Sequence, residues 1–284
     1  MNPIDRVRVR TNEGGTDFER EDVLAVEEPL EIRIRSAEGG PVSSFVTTMR
    51  TPGNDEELTA GLLFAEGVVE SPADLIALER PADPRIDPEL KANVLIGTLS
   101  AEAFGRAAGL RRGTVMGSAC GVCGKTSIEN VIPSDRPPLE SPLRVTPELL
   151  YELPGRLRER QSVFAQTGGL HAAGLFSPDG TLEEIREDIG RHNATDKVIG
   201  TLLMRGQLPL SNRILVVSGR AGFEIVQKAF AAGVPIVASV SAPSSLAVAL
   251  AETGGVTLIG FLRGRRFNVY ANPQRVESRP SPQT

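Results

Sequence analysis

The chain has 284 residues, 40% of them apolar and 24% charged, enough for one large or two ordinary globular domains with a real core. Its 31 basic and 36 acidic residues leave a net charge of -5, which argues against a nucleic-acid binder. No apolar run approaches the roughly 20 residues of a membrane-spanning helix, and the N-terminus MNPIDRVRVRTNEGG lacks a signal core, so a cytoplasmic protein with no membrane partner is expected.

Residues 1–22, charged and without apolar periodicity, read as a flexible tail. From Val23 to Arg35 apolar and polar residues alternate around Pro29, as two short strands would, and Val42–Met49 is a further strand. Pro52-Gly53-Asn54 breaks the chain, and Asn54 with Glu57 resembles a capping box. The helix that follows places Leu58, Leu62 and Ala65 on one face and stops at Gly67. Residues 71–91 read as a connector rich in Pro and Asp, and Asn93–Ser100 as a strand. Together, residues 23–112 form a small α+β domain. Gly113, Gly117, Gly121, Gly124 and then Pro133, Pro137, Pro138 and Pro142 deny long regular elements to 113–142, apart from a helical turn or two over Lys125–Ile132. This stretch is expected to be a mobile loop and linker.

From Thr146 helix and strand alternate. Pro147 suits the first turn of a helix through Leu149, Leu150 and Leu153, which Pro154 should kink or end. His171–Phe176 and Thr181–Arg186 flank the turn Pro178-Asp179-Gly180 as a hairpin. Next come helix Asn193–Met204, strand Ile214–Val217, helix Phe223–Ala232, strand Pro235–Val240, helix Ser244–Ala251, strand Val256–Leu262 and strand Arg266–Ala271. Strands apolar throughout, such as Ile214-Leu215-Val216-Val217, imply a sheet covered on both faces. Residues 143–274 are therefore expected to be a three-layer α/β domain, and 275–284 a flexible tail. With 4% aromatics and no Trp, Leu, Val, Ile and Ala must build the core.

Chemistry concentrates in four places. Cys120 and Cys123, the only cysteines, sit in GSACGVCGKTS. Lys125 and a short helix starting near Gly124 favour a thiolate there. A thioredoxin-like redox pair fits poorly among flanking glycines. A zinc site would need His171 and His192, which are not at ligand spacing. A zinc deaminase is disfavoured because Ala119 precedes Cys120 and neither His is followed two later by Glu. A persulfide carrier suits two thiols on a movable loop, and two buried structural cysteines are the bland alternative. The second place is Glu187–Asn193 with Asp196 and Lys197, opening a helix whose N-terminus suits an anion. The third is Ser218-Gly219-Arg220-Ala221-Gly222, between a buried strand and a helix, where backbone amides and Arg220 could cradle phosphate. The fourth is Gly260–Arg266, where Arg263, Arg265 and Arg266 could neutralise a pyrophosphate. Each of the last three is equally readable as capping, turn or solvated-edge chemistry.

GSACGVCGKTSIE, EDIGRHNATDKVIG, VVSGRAGFEIVQKA and TLIGFLRGRRFNVYAN together resemble the formate dehydrogenase accessory sulfurtransferases, the FdhD family, over nearly the whole chain between the tails. No departure from the family pattern is visible at these positions. The resemblance implies a cytidine-deaminase-like α/β fold without zinc chemistry, and a homodimer. It also implies transfer of sulfur from a cysteine desulfurase to the molybdenum cofactor, Mo-bis-molybdopterin guanine dinucleotide, before insertion into the formate dehydrogenase catalytic subunit. Cys120 maps to the persulfide carrier, with Cys123 resolving or tuning it. Phe261, Leu262, Arg263, Gly264, Arg265 and Arg266 map to the cofactor site, completed by Ser218, Gly219, Arg220 and His192. No catalytic metal of its own is implied. The rival from another class is a guanine-nucleotide-binding regulator or chaperone without sulfur chemistry; a metal-dependent hydrolase is the weaker third.

Overall fold

The computed structural model describes residues 2–82, 87–111 and 136–277. Strands β1 (Ile4–Glu13) and β2 (Thr16–Ala25) pair as an antiparallel hairpin. The flexible tail expected over 1–22 is thus corrected. Val7, Val9 and Thr11 face one side, while Arg6, Arg8 and Arg10 face Glu21, Glu19 and Asp17 across the ladder. Two alternating apolar residues were too faint a signal to read as a strand, but cross-strand charge pairs and a Gly14-Gly15 turn with both φ positive close the hairpin.

A four-stranded sheet follows, ordered β4-β3-β6-β5, from β3 (Glu28–Ser36), β4 (Ser43–Arg50), β5 (Leu75–Glu79) and β6 (Val94–Leu99). β5 and the short helix α2 (Pro88–Ala92) lie in the stretch expected to be a plain connector. Along β3, Leu30, Ile32 and Ile34 are buried on one face, against α1 (Asp55–Ala65) and α3 (Ala101–Arg111). The capping box expected at Asn54 does not form; its side chain donates to Glu57 instead. Leu58, Ala60, Gly61, Leu63 and Phe64 are all buried, so α1 is covered on most sides and only Glu56 in it is exposed. It is pressed between the small sheet and α6 (Arg191–Met204).

The second sheet is six-stranded, ordered β12-β11-β10-β9-β7-β8, from β7 (His171–Phe176), β8 (Leu182–Asp188), β9 (Ile214–Val217), β10 (Ile236–Ser239), β11 (Thr257–Arg263) and β12 (Arg266–Ala271). β9, β10 and β11 run parallel; β7, β8 and β12 pair antiparallel with their neighbours. Ala173, Leu175, Leu215, Val217, Val237 and Leu258 pack on one face with α6, α7 (Phe223–Ala231) and α8 (Ser245–Gly254). On the other, Ala172, Phe176, Ile214, Val216, Ile236 and Ile259 meet Leu150, Leu153 and Leu157 of α4 (Pro147–Glu159). Helices therefore cover both faces of a mixed α/β sheet. α4 continues through Pro154, and is followed by α5 (Ser162–Thr167).

The division into residues 23–112 and 143–274 does not separate two cores. One apolar cluster runs from Ile34, Phe45, Ala60 and Leu63 into Val198, Ile199 and Leu202. At its centre α1 and α6 cross backbone to backbone. A Cβ added at Gly61 would lie 1.9 Å from the Asp196 carbonyl oxygen, and one at Gly200 would lie 1.9 Å from that of Glu57. The linker also ends earlier than 142. Leu139 donates to Gly254 O at 2.8 Å, and the Arg275 guanidinium binds Leu139 O at 2.8 Å and Gly255 O at 2.7 Å. Arg275 is consequently buried, and the segment expected to be a tail from 275 is tied down as far as Val276, which bridges Val145. No described helix is long and apolar enough to cross a membrane.

Candidate functional site

The carboxyl ends of β9, β10 and β11 are where an open α/β sheet leaves a crevice for ligands. The antiparallel pairings bring the start of β7, the end of β8 and the start of β12 to the same end: His171 opposes Asp188, and Arg263 opposes Arg266. Ser218–Gly222, His192 and Phe261–Arg266 therefore share one end of one sheet, although they are far apart in sequence.

The Ser218–Gly222 turn is rigidly held. Ser218 Oγ accepts from Ala172 N at 2.8 Å, and the hydroxyl of buried Ser239 lies 3.0 Å from Gly219 O and 2.7 Å from Ser241 O, its single proton shared between the two carbonyls. Gly219 is closely packed: a Cβ would sit 3.2 Å from His171 Nδ1 and 3.4 Å from Arg191 Cδ, so a side chain there would push on both. Helices α6 and α7 begin at Gly190 and Gly222, neither of which offers a capping side chain, so both N-termini keep donors for an anion. Arg220, Arg263, Arg265 and Arg266 are exposed and enter no ion pair among the described residues. Arg191 is half-buried, its Nε has no acceptor, and it too is unpaired among the described residues.

That unbalanced positive charge acts on the two histidines. Burial, then Arg191 and Arg220, push His171 below its ordinary value. Burial, then Arg191, Lys228 and His171, push His192 down to about 3. His192 is thus neutral at pH 7. Its Nδ1 lies 3.3 Å from Glu224 Oε2, and donation there leaves Nε2 as an acceptor. Burial pushes Glu224 up, so the contact is a hydrogen bond more than an ion pair. An unfolded imidazole gains its proton near 6.5 and the native one near 3; between these values the unfolded state holds more protons, and stability falls as pH falls. His192→Gln should flatten that decline, read by urea denaturation at about pH 7 and about pH 5; an unchanged slope would contradict a neutral, buried His192.

Much of the Glu187–Asn193 cluster does structural work instead. Asp188 is fully buried and receives Thr51 N at 3.2 Å, Gly190 N at 2.8 Å, Asn193 Nδ2 at 2.9 Å and Lys197 Nζ at 2.8 Å. Lys228 binds both oxygens of buried Asp196, at 2.6 and 2.8 Å. Leu262, expected to touch a cofactor, buries its side chain in the α4-side core. Phe261 holds a left-handed φ of 54° at a bulge, its N–H bound to Ser241 O at 3.0 Å, a strained conformation for an aromatic residue. Gly264, with φ 58°, supplies the positive φ of the β11–β12 turn.

Cys120 and Cys123, with Lys125, lie outside the described residues. Among the described residues no three His, Asp or Glu side chains converge as a metal-binding group. Arg191, part of the Glu187–Asn193 cluster but not among the residues expected to hold a cofactor, faces this end of the sheet, and a cleft that the sequence does not signal lies beside Ser218 and His171, lined by α4 and α5. An Arg in a first helical turn carries no signal of lacking a partner, and α5 is too short for a periodic pattern.

Known proteins bear directly on this arrangement. The chain is 48% identical over 273 residues to the "Sulfur carrier protein FdhD" of Streptomyces coelicolor, covering 95% of this chain and 94% of that one. It is 43% identical over 275 residues to the protein of the same name from Saccharolobus solfataricus, covering 96% and 97%. A crystal structure assigned as a candidate formate dehydrogenase accessory protein, from Desulfotalea psychrophila, superimposes with a TM-score of 0.74 at 23% identity, over 97% of this chain and all of that one. This last likeness carries the fold. The family model described as FdhD/NarQ matches residues 25–277, and with the relatives above it shows that the chain belongs to the FdhD/NarQ family.

Proposed function

We propose that the protein is a cytoplasmic, homodimeric sulfur carrier that moves sulfane sulfur from a cysteine desulfurase to the molybdenum of Mo-bis-molybdopterin guanine dinucleotide, serving formate dehydrogenase. The observation that carries this reading is the unpaired basic crevice at the sheet's carboxyl end, in a chain whose sole two thiols are Cys120 and Cys123. Phosphate groups fit it. Two helix N-termini, the Gly219–Gly222 amides and the guanidiniums of Arg191, Arg220, Arg263, Arg265 and Arg266 offer donors and positive charge, and none of these arginines enters a salt bridge among the described residues. The scaffold is read as deaminase-like, its crevice reused for binding the cofactor as substrate.

In the first step the Cys120 thiolate attacks the terminal sulfur of the desulfurase persulfide. The bond to the desulfurase cysteine breaks, that cysteine leaves as thiolate, and Cys120 keeps the sulfur as a persulfide. In the second, Cys123 thiolate attacks Cys120 Sγ, forming the Cys120–Cys123 disulfide and expelling the outer sulfur as hydrosulfide for the metal. A dithiol reductant then supplies the electrons that reopen the disulfide. Neutral His192, through Nε2, accepts a hydrogen bond from the cargo without adding charge beside the arginines.

The test is complementation of a strain lacking its own copy. Cys120→Ala should abolish formate dehydrogenase activity, and Cys123→Ala should load sulfur but release it poorly. Full activity with Cys120→Ala would leave the nucleotide-binding chaperone as the reading.

A further inference from the structure

The β11–β12 turn carries three arginines, and the sheet divides them. Phe267 and Val269 of β12 pack on the α4-side core, as buried Leu262 of β11 does. Alternation then puts Arg266 on the other face, with Tyr270, which packs on the core beneath α6, α7 and α8. Arg263 directly opposes Arg266 and shares that face. It is also the face on which α6 and α7 begin, beside Ser218–Gly222. Arg265, in the turn between them, goes the other way. Its guanidinium carbon lies 5.4 Å from the ring centroid of Tyr151 on α4, inside the roughly 6 Å reach of a cation–π contact. Tyr151 is itself packed on Phe267, with ring centroids 5.7 Å apart and planes tilted by 45°, a usual separation for an aromatic pair. One ring thus holds the turn through Arg265 and the strand that leaves it through Phe267. It also draws one guanidinium away from two like charges that repel it.

We propose that Tyr151 is a positioning residue for the basic turn: it seats Arg265, and the seated turn presents Arg263 and Arg266 to the ligand's phosphates. The inference rests on the phosphate-docking part of the proposed function and divides its arginines into two kinds. Arg263 and Arg266 meet the anion with charge-assisted hydrogen bonds. Arg265 acts through the ring and does not touch the anion. The π face of Tyr151 carries the contact, and its hydroxyl takes no part in it.

The experiment is calorimetric titration of the full chain with inorganic pyrophosphate at fixed ionic strength. The native chain should bind. Arg263→Gln and Arg266→Gln should each lose about 10- to 100-fold, as for a hydrogen bond to a charged group. Arg265→Gln and Tyr151→Leu should each lose only about two- to fivefold, the range of an exposed cation–π contact. The two together should lose no more than either alone, because both remove one contact. Tyr151→Phe keeps the ring and should bind as the native chain does. Losses from Tyr151→Leu and Arg265→Gln that add in the double variant, or an Arg265→Gln loss as large as that of Arg263→Gln, overturn the role of Tyr151 and leave phosphate docking intact. A native chain that binds no pyrophosphate overturns the docking as well. Should Tyr151→Leu fail to fold, ring resonances of the native chain decide. The chain has two tyrosines, so Tyr270→Phe assigns those of Tyr151. They should stay in place on adding pyrophosphate, and displacement toward their positions in Arg265→Gln overturns the proposal.

Discussion

Asp188→Ala should destabilise the protein by about 3–5 kcal/mol, because it strands the Lys197 ammonium in the interior. Lys197 is about as buried as any side chain in the molecule, and its other close contact is the Thr51 carbonyl at 3.0 Å. The loss also frees the amides of Thr51 and Gly190 and the Asn193 side chain, which together tie β4, β8 and α6. Urea denaturation measures it. The double variant Asp188→Leu with Lys197→Met should recover part of the loss, since no buried charge then lacks a partner. A single-variant loss below about 1 kcal/mol, the range of exposed pairs, would contradict this account.

Gly200→Val should be comparably severe through a different cause. Its Cβ would fall 1.9 Å from the Glu57 carbonyl oxygen, and that oxygen belongs to helix backbone that no rotamer change can move. Overpacking typically costs about 1–3 kcal/mol and occasionally more; here the whole α1–α6 crossing must open, so the upper end or beyond is expected. Gly105→Val serves as the comparison, because nothing lies within 4 Å of a Cβ there. There it should be neutral or slightly stabilising, since valine is a somewhat better helix former than glycine. Adding Gly61→Val to Gly200→Val should cost less than the sum of the two, since both act on one contact. Thermal denaturation of the single and double variants decides; near-native stability of Gly200→Val would contradict the close crossing.

The second half of the fold was legible because its signals were local. β9 and β12 have the bounds read from apolar pattern, and the β7–β8 hairpin was marked by Pro178-Asp179-Gly180. Where reading failed, the cause was tertiary. α1 shows a poor amphipathic pattern because both its faces are buried, one on the small sheet and one on α6. The β1–β2 hairpin is held by charge pairs, which composition reads as solvated chain. At the site, the three groups Ser218–Gly222, His192 and Phe261–Arg266 were visible as motifs, and the sheet order brings them together. At Leu262 alternation along β11 turns the side chain inward and leaves its backbone at the strand end, while Phe261 and Arg263 remain partly or fully accessible. Arg191 stands out only by a buried Nε without an acceptor, a property that no residue string displays.

The central claim is that Cys120 carries a transferable sulfur atom. Intact-mass analysis of the full chain after incubation with a cysteine desulfurase and cysteine, followed by peptide mapping, tests it most directly. The account predicts one added sulfur atom, located on Cys120, retained in Cys123→Ala and removed by a thiol reductant. No added sulfur on the native chain, or equal loading of Cys120→Ala, would contradict it.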